Sequence, residues 1–217
     1  MQPSDVKPSG HLWLVAKTGS PQPTDEALVS AYLNGEARAA EQIWQKHAPM
    51  VDRLLRRSLG PVEEIEDLTQ EVFLRLFTKL PTLEDPEALR SFIYSIAVRV
   101  LRWDLRRRWI RRGVRLLPAS EVPERATPSD NFEARQAVAR FYDILDRLGD
   151  RDRIAFVLQN MEGLTLEESA RSLGVSIATL KRRLSRASQR IEFFVAKDSA
   201  LASYLNPTIR GGDHEPA

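Results

Sequence analysis

Apolar residues recur at helical spacing through most of the chain, and no stretch alternates as a β-strand would. The clearest stripe is spaced at three and four residues and predicts a helix over about 62–77, with Ile65, Leu68, Val72 and Leu76 on its buried face. Similar patterns predict helices over about 24–35, 37–58 and 85–112. Short connections between these four helices predict a compact bundle.

The helical pattern stops over 113–129, where one glycine and three prolines predict a flexible linker. It resumes over about 130–149 and 151–161, and two further helices follow. We therefore predict an all-α protein with domains at 24–112 and 130–196. The tails 1–23 and 197–217 lie outside these domains, and the N-terminal tail has the polar composition of a disordered segment.

The last two helices have the pattern of a helix-turn-helix. Thr165 and Glu168 form a capping box at the start of the first helix, Gly174 supplies the turn, and Ser176 caps the second helix. The expected inward residues are Leu166, Ala170, Leu173, Ile177, Leu180, Leu184 and Ile191. The outward face of the second helix carries Thr179, Lys181, Arg182, Arg183, Ser185 and Arg186, which are residue types that bind phosphates and base edges. The alternative is a plain helical hairpin with a basic surface.

Charge is unevenly distributed along the chain. The net charge is +2, but residues 99–115 carry +7 and residues 176–190 carry +5, which leaves −10 for the rest. Two basic segments on an otherwise acidic protein predict two contacts with a polyanion. Cysteine is absent, so disulfides and thiolate metal sites are excluded, and the three scattered histidines match no metal spacing. We expect no metal, no cofactor, no membrane contact and a cytoplasmic location.

Two helices of the first bundle carry contrasting polar surfaces. Asp67, Gln70 and Glu71 share one face of the third helix, which suits a basic helical partner. General acid–base chemistry is the alternative, but no nucleophile or metal ligand accompanies these acids. In the fourth helix, aromatic residues alternate with arginines, a composition suited to stacking on unpaired bases. We expect Phe92 and Ile96 in the core, and leave open whether Trp103 and Trp109 are exposed.

Three segments resemble a known family, the sigma-70 factors of bacterial RNA polymerase. Residues 66–75 resemble region 2.2 of that family, residues 91–107 resemble regions 2.3 and 2.4, and residues 162–187 resemble region 4.2. The order of these segments, with no third domain between them, is similar to the extracytoplasmic-function (ECF) group. The resemblance implies a sigma region 2 domain and a sigma region 4 domain with no enzymatic activity.

The resemblance also implies a role for each surface. Asp67, Gln70 and Glu71 would dock on the clamp helices of core RNA polymerase. The fourth helix and the loop 81–86 would bind and open the −10 element of promoter DNA, through Arg99, Arg102, Trp103, Arg106 and Arg107. The second helix of the helix-turn-helix would read the −35 element, through Ser176, Thr179, Lys181, Arg182, Ser185 and Arg186. An anti-sigma factor is the further partner that the resemblance implies.

The sequence departs from the family pattern in the fourth helix, where Val98-Arg99 stand in place of the frequent Arg-Asn. Two other kinds of protein remain alternatives. A helix-turn-helix regulator would bind an operator without polymerase. A nuclease or helicase would need a phosphate-binding glycine loop or a cluster of metal-binding acids, and the sequence has neither.

Overall fold

The computed structural model describes residues 23–114, 132–198 and 201, and contains eight α-helices and no strand within these ranges. The helices are α1 Asp25–Leu33, α2 Ala39–Leu59, α3 Ile65–Lys79, α4 Leu89–Val114, α5 Phe132–Asp146, α6 Asp150–Phe156, α7 Leu166–Leu173 and α8 Ile177–Lys197. Helices α1–α4 form the N-terminal bundle and α5–α8 form the C-terminal bundle. The all-α prediction is confirmed.

Local capping explains where several helices begin. The hydroxyl of Thr24 accepts a hydrogen bond from the backbone N–H of Ala27, and Ser176 does the same for Thr179. At α7 the predicted capping box is complete, because the Glu168 carboxylate also accepts from the Thr165 N–H at 2.8 Å. Gly174 ends α7 in the left-handed conformation with φ +63°, which favours glycine because other residues have a Cβ that clashes there.

Some predicted boundaries were wrong. The helix expected from residue 85 starts with a 3₁₀ turn at Pro86–Ala88, and α4 begins only at Leu89. The helix expected over 151–161 is α6 followed by a π-helical turn at Val157–Met161. The linker prediction, 113–129, overlaps the end of α4, and the rest of it lies outside the described residues, as do most of both predicted tails.

The core continues from one bundle into the other. It includes the predicted α3 stripe, buried Ile93 and Ile96 of α4, and side chains from α6, α7 and α8 such as Ile154, Leu173 and Leu180. Phe92, expected in the core, is partly buried against it. Ile177, expected to face inward, is exposed, because it lies in the first turn of α8, ahead of Leu180, where the buried residues of this helix begin. A smaller second core joins α5 to α8.

In the described ranges, no helix combines the length and the hydropathy needed to cross a membrane. The same residues contain no group of three or more His, Cys, Asp or Glu side chains that could hold a metal ion.

Candidate nucleic-acid interface

The acidic face of α3 is available at the surface of the N-terminal bundle. Asp67 and Gln70 are exposed, and Glu71 is half-exposed and pairs with Arg75 one turn later at 2.5 Å. Leu74, which is 65% exposed, lies on the same face because it is seven residues from Asp67 and three from Glu71. A single exposed leucine is normal on a protein surface, and here it adds apolar area to the polar face.

The basic face of α4 is a second polar surface of the N-terminal bundle. Arg99, Arg106 and Arg107 are exposed, and Trp103 is 54% exposed. The Arg107 guanidinium lies over the Trp103 ring, 5.1 Å from its centroid. Arg102 is partly buried, and its guanidinium lies 3.9 Å from the Asp150 carboxylate of α6. Four of the five residues predicted from the sequence therefore share a solvent-facing surface.

The two tryptophans that the sequence left open are both exposed, with Trp109 at 76%. Tyr94, in contrast, is buried at 2% exposure and is not available to bases. Asp104 is the one acid within the basic segment, and it is buried at 2% exposure. It binds Arg108, which also reaches Glu64 at 3.0 Å. This arrangement turns Arg108 inward as a bundle contact, while its neighbours Arg106 and Arg107 face solvent.

The second helix of the helix-turn-helix, α8, presents the third surface. Lys181, Arg182, Ser185 and Arg186 are exposed. Thr179 is partly buried and accepts from Arg182 at 3.3 Å, while Ser176 is used as the helix cap. All six predicted −35 residues thus lie within the first three turns of α8 or at its cap, which is the part of a recognition helix that enters a major groove.

Charged residues of α6 shift the pKa of two arginines of α8. Asp152, in the first turn of α6, accepts two hydrogen bonds from Arg186, at 3.2 and 3.0 Å, and this raises the pKa of that guanidinium. Burial lowers the pKa of Arg183, and repulsion from Arg151 and Arg102 lowers it further. Positive charge is therefore crowded where α8, α6 and α4 approach one another.

Sequence reasoning missed Leu74 and Asp152. The spacing of Leu74 from Asp67 and Glu71 was a usable signal, since 67, 70, 71 and 74 share one helix face. Asp152 and Arg186 are 34 residues apart, and their pairing depends on how α6 packs against α8. No pattern in the sequence predicts that pair.

Comparison with known proteins decides the family. The sequence profile described as Sigma-70 region 2 matches residues 43–111, and that described as Sigma-70, region 4 matches residues 139–191. The ferric citrate uptake sigma factor FecI of Escherichia coli is 33% identical over 79% of this chain and 96% of its own length. This chain belongs to the sigma-70 family. The predicted sigma-factor function is thereby supported over the operator-binding regulator.

Further relatives indicate the group within the sigma-70 family. The ECF RNA polymerase sigma factor SigE of Mycolicibacterium smegmatis is 31% identical over 82% of this chain and 72% of its own length. The chain is a member of the ECF group. Its fold is similar to that of CnrH, solved in complex with the cytosolic domain of CnrY, with a TM-score of 0.58 at 23% identity, covering 81% of this chain and 99% of CnrH. The sigma factor RpoE of Bartonella quintana, solved with the anti-sigma factor NepR, has a TM-score of 0.55 at 21% identity. The match covers 75% of this chain and 99% of the RpoE chain.

Proposed function

We propose that each of the three surfaces described above has a separate binding role in this sigma factor. The α3 face, formed by Asp67, Gln70, Glu71 and Leu74, binds core RNA polymerase. The α4 face captures the unpaired strand of the −10 element, and α8 reads the −35 duplex. The observation that carries the proposal is the separation of charge: an acidic surface on one helix and basic surfaces on two others.

The acidic face suits a protein partner because its charge would repel DNA phosphates. Leu74 adds an apolar side chain that gains free energy when a partner buries it. The basic faces suit DNA for the opposite reason, and exposed Trp103 gives α4 a ring on which an unpaired base can stack. The binding energy of this captured strand favours strand separation without nucleotide hydrolysis. The chain therefore needs no catalytic chemistry of its own, and it acts in the cytoplasm, where polymerase and chromosome are.

An anti-sigma factor is the regulatory partner that fits this proposal. CnrH was solved in complex with the cytosolic domain of CnrY, and Bartonella quintana RpoE was solved in complex with the anti-sigma factor NepR. A protein inhibitor of this chain would compete with polymerase or DNA for the surfaces named above. If an inhibitor co-purifies with this chain, the complex should fail to bind polymerase, and removal of the inhibitor should restore binding.

The test of the polymerase surface is binding to core RNA polymerase, measured by fluorescence anisotropy with labelled sigma factor. We expect Asp67→Lys/Glu71→Lys to weaken binding by about a hundredfold or more, because opposed like charges cost several kcal/mol. The matched control is Glu36→Lys/Glu41→Lys, which makes the same charge change at two exposed positions elsewhere on the bundle.

Equal affinities in the wild type and the α3 variant would remove the polymerase role from this face. A wild-type protein that binds DNA but not polymerase would instead support an operator-binding regulator.

A further inference from the structure

Arginines of α2 are matched by a carboxylate in one part of the contact between the two bundles. The side chain of Glu162, directly after the π-helical turn, has 0% exposure and accepts from Arg53 at 3.1 Å and from Arg57 at 3.0 Å. Where α4 approaches α6, by contrast, arginines outnumber the acids that could neutralise them. This second part of the contact therefore has an excess of positive charge.

A cavity of about 600 Å³ lies between α4 and the connection from α5 to α6. This volume is within the range of small-molecule sites in proteins. Seven arginines line the cavity together with two acids, Asp146 and Asp150, so the side chains of its lining carry a net charge of +5. A ligand that fits such a cavity would be compact and would carry several negative charges.

Both acids of the lining already have arginine partners. Asp146 pairs with Arg153, and the Asp150 carboxylate lies 3.9 Å from Arg102. A third arginine, Arg108, is neutralised from outside the lining by Asp104. The other four arginines of the cavity pair with no acid among the residues that the structure describes, and they are Arg106, Arg147, Arg151 and Arg190.

These four guanidinium groups are accessible to a ligand, because all four side chains are exposed. Arg147 lies over the Phe194 ring, 4.8 Å from its centroid, a contact that positions the guanidinium and leaves its charge in place. Beside the cavity, burial lowers the pKa of Arg183, and repulsion from Arg151 and Arg102 lowers it further. A bound anion would offset this repulsion, since a nearby opposite charge favours the charged form of a guanidinium.

The cavity also has an apolar side. Trp109, which is 76% exposed, lines it together with partly buried Leu105 and buried Leu148. An exposed indole ring can stack on a nucleobase, whereas phosphate groups need only the guanidinium donors. A ligand that carries both an aromatic base and several phosphates therefore matches more of this lining than inorganic phosphate does.

We propose that this cavity binds a nucleoside triphosphate. Arg147, Arg151 and Arg190 hold the phosphate groups, and the base stacks on Trp109. The single arrangement that supports the proposal is the combination of exposed arginines without acidic partners and an exposed indole ring around one cavity.

Most of this lining is separate from the surfaces that were assigned to polymerase and DNA. Arg147, Arg151 and Trp109 belong to none of those surfaces, whereas Arg102 and Arg106 are shared with the −10 face of α4. A bound nucleotide and the −10 strand should therefore exclude each other. This exclusion rests on the proposed function, but nucleotide binding itself does not.

Isothermal titration calorimetry of the full chain with ATP tests the site, and tripolyphosphate serves as the ligand that lacks a base. Arg147→Ala/Arg151→Ala removes two charges of the cavity. The matched control, Arg38→Ala/Arg171→Ala, removes two exposed arginines that lie outside its lining. Trp109→Ala removes the indole ring and leaves every charge in place.

We expect Arg147→Ala/Arg151→Ala to weaken ATP binding about a hundredfold, because each charge-assisted hydrogen bond contributes about tenfold or more. Trp109→Ala should weaken ATP binding about fivefold or more and leave tripolyphosphate binding unchanged. The control should bind ATP as the wild type does. ATP should also displace a labelled single-stranded oligonucleotide from the wild type.

No binding of ATP by the wild type would overturn the proposal. An equal loss of ATP affinity in the cavity variant and the control would also overturn it, because general attraction of anions to a basic protein would then explain the binding. Tripolyphosphate that binds as tightly as ATP would overturn the assignment to a nucleotide, and ATP that binds without displacing the oligonucleotide would overturn the exclusion. Absence of oligonucleotide binding would instead contradict the proposed function, and it is distinguishable because the ATP titration contains no DNA.

Discussion

In the proposed function, Asp152 limits the contact of α8 with DNA, and its removal should strengthen that contact. Its carboxylate accepts two hydrogen bonds from Arg186, so this arginine must leave a charged partner before it can bind a phosphate. In Asp152→Asn the side chain keeps its shape and loses its charge. Arg186 is then free to neutralise one more phosphate than in the wild type.

The magnitude follows from counterion release. Over residues 177–190, helix α8 carries four basic side chains besides Arg186, and each phosphate contact contributes about −0.9 to the slope of log affinity against log salt. Four contacts give a slope of about −3.6, and a fifth gives about −4.5. Over a fourfold rise in salt, the variant should therefore lose about 3.5 times more affinity than the wild type.

The assay is anisotropy of a labelled duplex of arbitrary sequence, titrated at several salt concentrations, because phosphate contacts do not depend on sequence. Glu192→Gln is the matched control, since it removes one exposed acid of α8 without contacting Arg186. We expect tighter binding at low salt and a steeper slope in Asp152→Asn alone. Equal slopes in both variants and the wild type would refute the role given to this ion pair.

Three further changes test other parts of the structure. Thr165→Ala removes the capping hydroxyl of α7 and should lower the free energy of unfolding by about 1–2 kcal/mol. The control Thr78→Ala removes no cap and should have little effect. Chemical denaturation measures the free energy of unfolding of both variants. Burial lowers the pKa of His47, so the folded state favours the neutral imidazole and should lose stability as the pH falls below about 6.5. This loss of stability should be smaller in His47→Gln. Denaturation midpoints at several pH values would measure the difference between the two proteins. Trp103→Ala should weaken binding of a single-stranded oligonucleotide by about 1–3 kcal/mol with no change in melting temperature, and unaltered binding would exclude base stacking there.

Local features of the fold were predictable because their causes lie within a few residues. The α3 stripe, the Thr24 cap and the capping box of Thr165 depend on spacings of three or four positions, and the structure confirms them. The start of α4 was misplaced because Asp85-Pro86 begins either an α-helix or a 3₁₀ turn, and packing decides between them.

Contacts between distant segments could not be predicted. Glu162 lies more than a hundred residues from Arg53 and Arg57, and its burial depends on how the two bundles dock. The segment containing Glu162 resembled region 4.2, but the resemblance gave no reason to bury a carboxylate. The proposed DNA residues were easier to find, because positive charge on a helix face is visible in the sequence before any packing is known.

Helix α4 continues for 26 residues without interruption, so a small rotation about its first turn would produce a large displacement of its last turn. Such a helix is about 39 Å long at 1.5 Å per residue. A rotation of about 10° about its first turn would move its last turn by about 7 Å, or two base-pair steps of 3.4 Å. A small tilt of this helix about its first turn would therefore displace exposed Trp109, near its last turn, by a distance comparable to the spacing of bases.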